Sequence, residues 1–240
     1  LTSLAIPSSV SSIGRAAFYK CSGLTSLAIS SGVTMIGEYA FAYCSGLTSL
    51  AIPSSVSSIG RAAFYKCSGL TSLAISSGVT MIGEYAFAYC SGLTSLAIPS
   101  SVSSIGRAAF SNCSGLTSLS IPSSVTSIGE EAFANESLKS MYVYWNIPVP
   151  ISVDVFDNEV IQNSTLYIPK GTYDNYWLTN WGVFDNIVEF DVTGIDETAT
   201  TGEVKETSRY SVNGQLLCMP IKGLNLVKYS DGVVKKVVVR

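Results

Sequence analysis

Apolar residues along the first 138 positions follow two rhythms that recur every 23 residues. In the second unit, Leu27 and Ile29 alternate with Ser26 and Ala28, the period of a half-buried strand. Val33, Ile36, Ala40, Phe41 and Cys44 then follow at spacings that predict a short helical return. Six units begin at Leu1, Leu24, Leu47, Leu70, Leu93 and Leu116, and a diverged seventh begins near Leu138. Ser45-Gly46 closes the return, glycine supplying the tight geometry that leads into the next strand. A unit of 23 residues cannot bury Leu27, Ile29, Ile36 and Phe41 by itself. Neighbouring units must cover them, so stability becomes a sum over adjacent turns of a stacked coil.

Residues 47–92 repeat residues 1–46 without a change. A catalytic site gathers differing residues at one place, whereas copying makes the same surface again one step further on. Copying suits a scaffold. Arg15, Glu38, Arg61, Glu84, Arg107 and Glu130 occupy one slot in successive units, so stacking sets opposite charges side by side. Exposed pairs of this kind contribute little energy, and their use is to avoid a column of like charge. The copied block is therefore 46 residues because two units balance one another. Ligand recognition by this row is the alternative reading.

Composition narrows the function classes. An apolar fraction of 47% in 240 residues provides for a buried core. With 13% charged residues and a net charge of −3, neither nucleic acid nor an anionic membrane is an expected partner. No run reaches the roughly 18–20 apolar residues of a membrane helix, so membrane insertion is not expected. Leu1 opens inside the repeat pattern with no signal sequence, which reads as a mature or trimmed product. Histidine is absent, removing the commonest general base and a leading zinc ligand. Cys21, Cys44, Cys67, Cys90 and Cys113 recur with the repeat and are expected as one internal ladder of thiols; Cys218 is isolated. No cofactor is implied.

The strand L-x-x-L-x-I followed by I-P-x-x-V-x-x-I-G-x-x-A-F-x-x-C resembles the BspA-like class of leucine-rich repeats over residues 1 to about 138. The resemblance implies an α/β fold: a right-handed solenoid of 23-residue units, each a short parallel strand plus a short helical return. It also implies a secreted or cell-surface protein, often bacterial, of a class some of whose members bind host extracellular proteins, and it implies no enzyme activity.

Later segments break the pattern. Glu136 stands where the ladder has cysteine, and this charge is expected to end the apolar stack. Residues 139–190, with prolines and Trp145, Trp177 and Trp181, read as a diverged repeat and C-terminal cap; the stretch from Ser164 to Trp177 resembles the closing segment of such repeats in Bacteroidetes surface proteins. Residues 191–207 are polar and rich in Thr and acid, a linker signature. In 208–240, Asn213-Gly214, Lys222-Gly223 and Asp231-Gly232 separate apolar runs, which predicts a small antiparallel β module. That module resembles the sorting domains of exported Bacteroidetes proteins.

Two surfaces are candidates for binding. The strand face should present Ser26, Ser49, Ser72 and Ser95 in one row and small alanines in another, a face short of anchors. The return side should present Tyr19, Tyr39, Tyr43, Tyr65, Tyr85 and Tyr89 with Lys20 and Lys66. Local packing over neighbouring turns is the competing use of these tyrosines. Asp154, Asp157 and Glu159 form the densest acidic cluster outside the linker but lack calcium-loop spacing, so a surface turn is expected. Asn163-Ser164-Thr165 fits a glycosylation sequon. The expected partner is an extracellular or host protein, or a glycan, held by many weak contacts. The rival expectation is a passive stalk or spacer presenting another domain.

Overall fold

The computed structural model describes residues 1–192 in full, and beyond them the backbone of four strands, Glu206–Ser211, Leu216–Leu217, Gly223–Tyr229 and Val234–Val239. The chain winds as a parallel β-solenoid of about eight turns with little helix. One row of strands runs Ser3–Ile6, Ser26–Ile29, Ser49–Ile52, Ser72–Ile75, Ser95–Ala97, Ser118–Ile121 and Ser140–Val143. The row falls into separate parallel sheets, Ser3–Ile6 with Ser26–Ile29, Ser49–Ile52 with Ser72–Ile75, and Ser95–Ala97 onward, and within each the pairing is like over like: Leu27 lies beside Leu4, Leu73 beside Leu50, and Leu119 beside Leu96. Leucine and isoleucine point inward and serine and alanine outward, as in the exposed-buried alternation of Ser49–Ile52.

Each repeat carries a second strand that the sequence reading did not separate from the return. Ser12–Ile13, Met35–Ile36, Ser58–Ile59, Met81–Ile82, Ser104–Ile105 and Ser127–Ile128 form a six-stranded parallel sheet of their own. The expected helical return is also corrected: residues such as Arg15–Lys20 form consecutive turns, not a helix. A helix keeps its amide bonds within one segment. Here they alternate. Ala17, Tyr19 and Cys21 donate back within the unit to Gly14, Ala16 and Phe18, whereas Ala16, Phe18 and Lys20 donate to the carbonyls of Glu38, Ala40 and Ala42 in the next turn. A stacked neighbour offers acceptors at strand spacing, and sharing amides with it satisfies the backbone while locking the turns together. The solenoid is thus β and turn in composition, not α/β.

The core is a set of columns. Leu24, Leu47, Leu70, Leu93 and Leu116 are fully buried, as are Ile36, Ile59 and Ile82. Phe18, Phe41, Phe64, Phe87, Phe110 and Phe133 stack nearly parallel at centroid spacings of 5.1 to 5.8 Å. Glycine is required where turns press together: a Cβ on Gly83 would lie 2.7 Å from the carbonyl carbon of Gly60 and the oxygen of Ile59.

The stack does not stop at Glu136. This unit is one residue short, so Glu136 is exposed and Asn135 is buried in the thiol column. Its amide nitrogen donates to the carbonyl of Cys113 at 2.7 Å, a neutral substitute for the thiol. Phe156 continues the ring ladder 6.0 Å beyond Phe133. The long-strand sheet also continues in parallel through Thr165–Pro169 and Asn186–Phe190. A short helix precedes each of these strands, Asn158–Asn163 and Tyr173–Trp177, and an aromatic cluster forms in which Trp181 meets Trp145 and Phe156. The expected linker lies largely outside the described residues. The four later strands form an antiparallel sheet in which Glu206–Ser211 and Gly223–Tyr229 are central.

Candidate functional site

The return turns build a ridge of tyrosine and lysine side chains that follows the repeat. Each of the first five returns holds two residues in the left-handed region and the sixth holds Glu131, and among these only Asn112 is of a type that favours it. At the second of these positions, successive turns carry Lys20, Tyr43, Lys66, Tyr89 and Asn112, with φ between 57° and 64°. Their amides donate to the next turn's carbonyls, from Ala42 to Ala134, at 2.7 to 2.9 Å, which holds the conformation. Only the last turn uses asparagine, a residue that tolerates it. The others bear a conformational cost of roughly 1–2 kcal/mol each for an outward lysine or tyrosine.

Tyr19, Tyr43, Tyr65 and Tyr89 form a continuous edge-to-face chain with centroids 5.5 Å apart. Lys20 lies over Tyr19 and Tyr43 at 5.3 and 5.7 Å. Lys66 lies over Tyr43, Tyr65 and Tyr89 at 5.6, 5.5 and 5.2 Å. Burial raises the pKa of the Tyr65 phenol, Tyr43 and Tyr89 add to this, and Lys66 opposes it. The phenol is a neutral hydroxyl at physiological pH. Two shallow, merging grooves run beside the ridge, lined by Lys20, Tyr43, Lys66, Tyr89 and Asn112 and by Ser22, Ser45, Ser68, Ser91 and Ser114. Those serines were overlooked in the sequence; their 23-residue recurrence beside the cysteines was the available signal.

Of the tyrosines singled out in sequence, Tyr39 and Tyr85 do not join this chain. They occupy the first left-handed position of their turns, half-buried, and their amides donate to Arg61 and Arg107 in the charged row. Ser26, Ser49, Ser72 and Ser95 are exposed on the long-strand face and line neither groove. The charged row resolves into couples: Arg15–Glu38 at 3.6 Å, Arg61–Glu84 at 3.8 Å and Arg107–Glu130 at 3.9 Å. Arg107 also binds Glu131 at 2.8 Å, which raises its pKa further.

The thiols lie inside. Cys67, Cys90 and Cys113 are fully buried and donate to the carbonyls of Phe41, Phe64 and Phe87 at 3.2 to 3.3 Å. Burial pushes Cys44 up to about 11 and Cys113 up to about 12, and raises Cys67 and Cys90 as well. These are protonated core groups, unsuited to nucleophilic chemistry. Asp154 and Asp157 lie on the return turn that carries Phe156, where the carbonyls of Asp154 and Val155 accept from Glu131 and Phe133. Burial, with Glu136, Glu159 and Glu131 nearby, raises the Asp157 pKa. Among the described residues no cluster of acids, cysteines and histidines suits a metal ion. Asn163 donates its amide to the Glu159 carbonyl at 2.9 Å.

The fold and ridge define a class first: a parallel β-solenoid with a periodic polar edge. The model of the BspA type leucine rich repeat region matches residues 1–113 and 34–168, and the chain belongs to that family. A search of the curated proteins gives no match. Among solved structures, the pneumococcal vaccine antigen PcpA is 18% identical and aligns over 80% of this chain and 68% of its own, with a TM-score of 0.50. A leucine-rich repeat protein of Bacteroides ovatus is 21% identical over 79% of this chain and 61% of its own, TM-score 0.45. The Treponema pallidum leucine rich repeat protein is 27% identical over 59% of this chain, which spans 58% of that protein, TM-score 0.44. Among the described residues no helix is long and apolar enough to cross a membrane.

Proposed function

We propose that this chain is a non-enzymatic binding module of a secreted or cell-surface bacterial protein, which engages an extracellular macromolecule through the tyrosine–lysine ridge. The observation that carries the reading is the ridge's backbone: lysine and tyrosine stand in a conformation that asparagine fills at Asn112 in the same column. A packing role alone does not account for this, because the core beneath is complete without these side chains. Tyrosine and a cation are efficient contact groups, and repetition lets weak contacts add. The aromatic cluster around Trp181 serves as the cover of the apolar stack, and the C-terminal antiparallel sheet serves in export or attachment.

The test is binding of the full chain to extracellular-matrix proteins and mucins at low and high salt. A variant combining Tyr43→Asn, Tyr89→Asn and Lys66→Gln is run in parallel. Saturable capture that this variant loses supports the reading. A folded chain that binds nothing on the panel favours a passive spacer instead.

A further inference from the structure

We infer that the ridge accepts a linear anionic glycan laid along the solenoid axis; this rests on the binding reading above and names its ligand. Lys20 and Lys66, like Lys139 elsewhere on the solenoid, have no carboxylate within ion-pair distance among the described residues, whereas Arg15, Arg61, Arg107 and Lys170 are each paired. Their charge is available to a ligand. Ring spacings of 5.1 Å from Phe18 to Phe41 and 5.4 Å from Phe41 to Phe64 give the rise per turn. Two turns therefore separate the lysines by roughly 10 Å along the axis. Between them stands the Tyr43 phenol, and beyond Lys66 stands Tyr89.

The groove wall adds a hydroxyl on every turn, from Ser22 to Ser114. Such a surface offers cations at a disaccharide-like interval, phenol groups for sugar rings and hydroxyls for sugar hydroxyls. An acidic peptide fits less well. The ridge amides of Lys20, Tyr43, Lys66 and Tyr89 are already donated to the next turn, so an added strand finds no edge. The shared ligand chemistry is an anionic group repeated along a sugar chain, either a uronate carboxylate or a sulfate ester.

The experiment is calorimetric titration of the full chain with four probes: a hyaluronan octasaccharide, a heparin octasaccharide, a neutral dextran oligosaccharide and a polyglutamate peptide. Saturable binding of one or both anionic sugars, weakened by salt and absent for dextran, is the expected result; hyaluronan against heparin separates carboxylate from sulfate. K20Q/K66Q should then lower affinity by ~10-fold or more, since both anchors are lost. Y43N/Y89N should lower it several-fold while retaining the fold, because Asn112 already adopts this conformation. Equal binding of dextran, or affinity unchanged in K20Q/K66Q, overturns the proposal. Preference for polyglutamate, or ridge-dependent capture of a matrix protein without sugar binding, overturns the glycan and leaves the binding reading standing. Silence of every probe and of the matrix panel overturns both.

Discussion

The copied turns of residues 1–138 and the unlike turns of residues 139–190 solve the same problem with different chemistry. In the copied part the buried Leu, Ile, Phe and Cys columns stack on their own kind, and backbone carbonyls receive an amide or thiol from a neighbouring turn, as Phe41 receives Cys67. In the later part side chains take over that role. The indole of Trp145 donates to the Val125 carbonyl, that of Trp181 to Val149, and the Tyr176 hydroxyl to Trp145, at 2.7 to 2.8 Å. Asn180 donates in the same way to Ile151. Repetition satisfies a backbone as long as another like turn follows, and large side chains with one polar end do so where the pattern changes.

The comparison can be broken most strongly at its two aromatic centres. Phe87→Ala removes a ring stacked on both sides, and Trp181→Ala removes the fully buried indole of the cluster. Each is expected to cost about 3–5 kcal/mol in chemical denaturation. Hydrogen exchange should tell them apart, because stability passes between neighbours: W181A should lose protection first in 139–190, and F87A in the turns on either side of residue 87. Uniform loss in both variants would mean that the two regions are one cooperative unit.

A smaller effect is expected at the contact between turns. Gly83→Ala places a methyl against the Gly60 backbone and should cost about 1–3 kcal/mol, through a shift of the turns. The thiol column predicts a pH dependence. An ordinary thiol titrates near 9.0, whereas folded Cys44 is held at about 11 and Cys113 at about 12. The unfolded chain therefore loses its protons first as pH rises, which favours unfolding. The stability these buried thiols contribute is complete below about pH 8 and is lost progressively from about pH 9 up through the folded values. Cysteine-to-alanine changes at Cys67 and Cys90 should flatten that decline in a thermal-melt series.

The smallest effect separates two copies of one serine. Ser101 donates to the Val79 carbonyl at 2.6 Å, while the buried Ser55 hydroxyl has no partner. Ser101→Ala should cost about 1 kcal/mol and Ser55→Ala close to nothing, measured as a difference in denaturation midpoint. Equal costs would show that the two units are not distinguished by this bond.

What the sequence made legible was the part written as period. The 23-residue recurrence set the phase of every buried Leu, Ile, Phe and Cys in the copied turns. The return conformation escaped because its left-handed positions hold Ala, Lys, Tyr and Glu, so no glycine marks them. The second strand escaped because two residues such as Met35–Ile36 are too short to show alternation. Phe156 was hidden among acids, although it stands 23 residues after Phe133. Glu136 was assigned to the thiol column, where Asn135 stands, because a one-residue deletion moves a column without leaving any mark in residue type. For the ridge, the sequence grouped six tyrosines by period, and only the stacking of the folded turns separates the four whose rings touch from Tyr39 and Tyr85.

The central claim is that the ridge binds through copies of one surface on a scaffold indifferent to their number. Deleting residues 47–92 tests it most directly, because Gly46 then joins Leu93 as Gly92 does now. The account predicts a chain that still unfolds cooperatively but, having lost Tyr65, Lys66 and Tyr89, binds the captured matrix protein or anionic octasaccharide ~10-fold more weakly or worse. A folded deletion variant with undiminished affinity would contradict it.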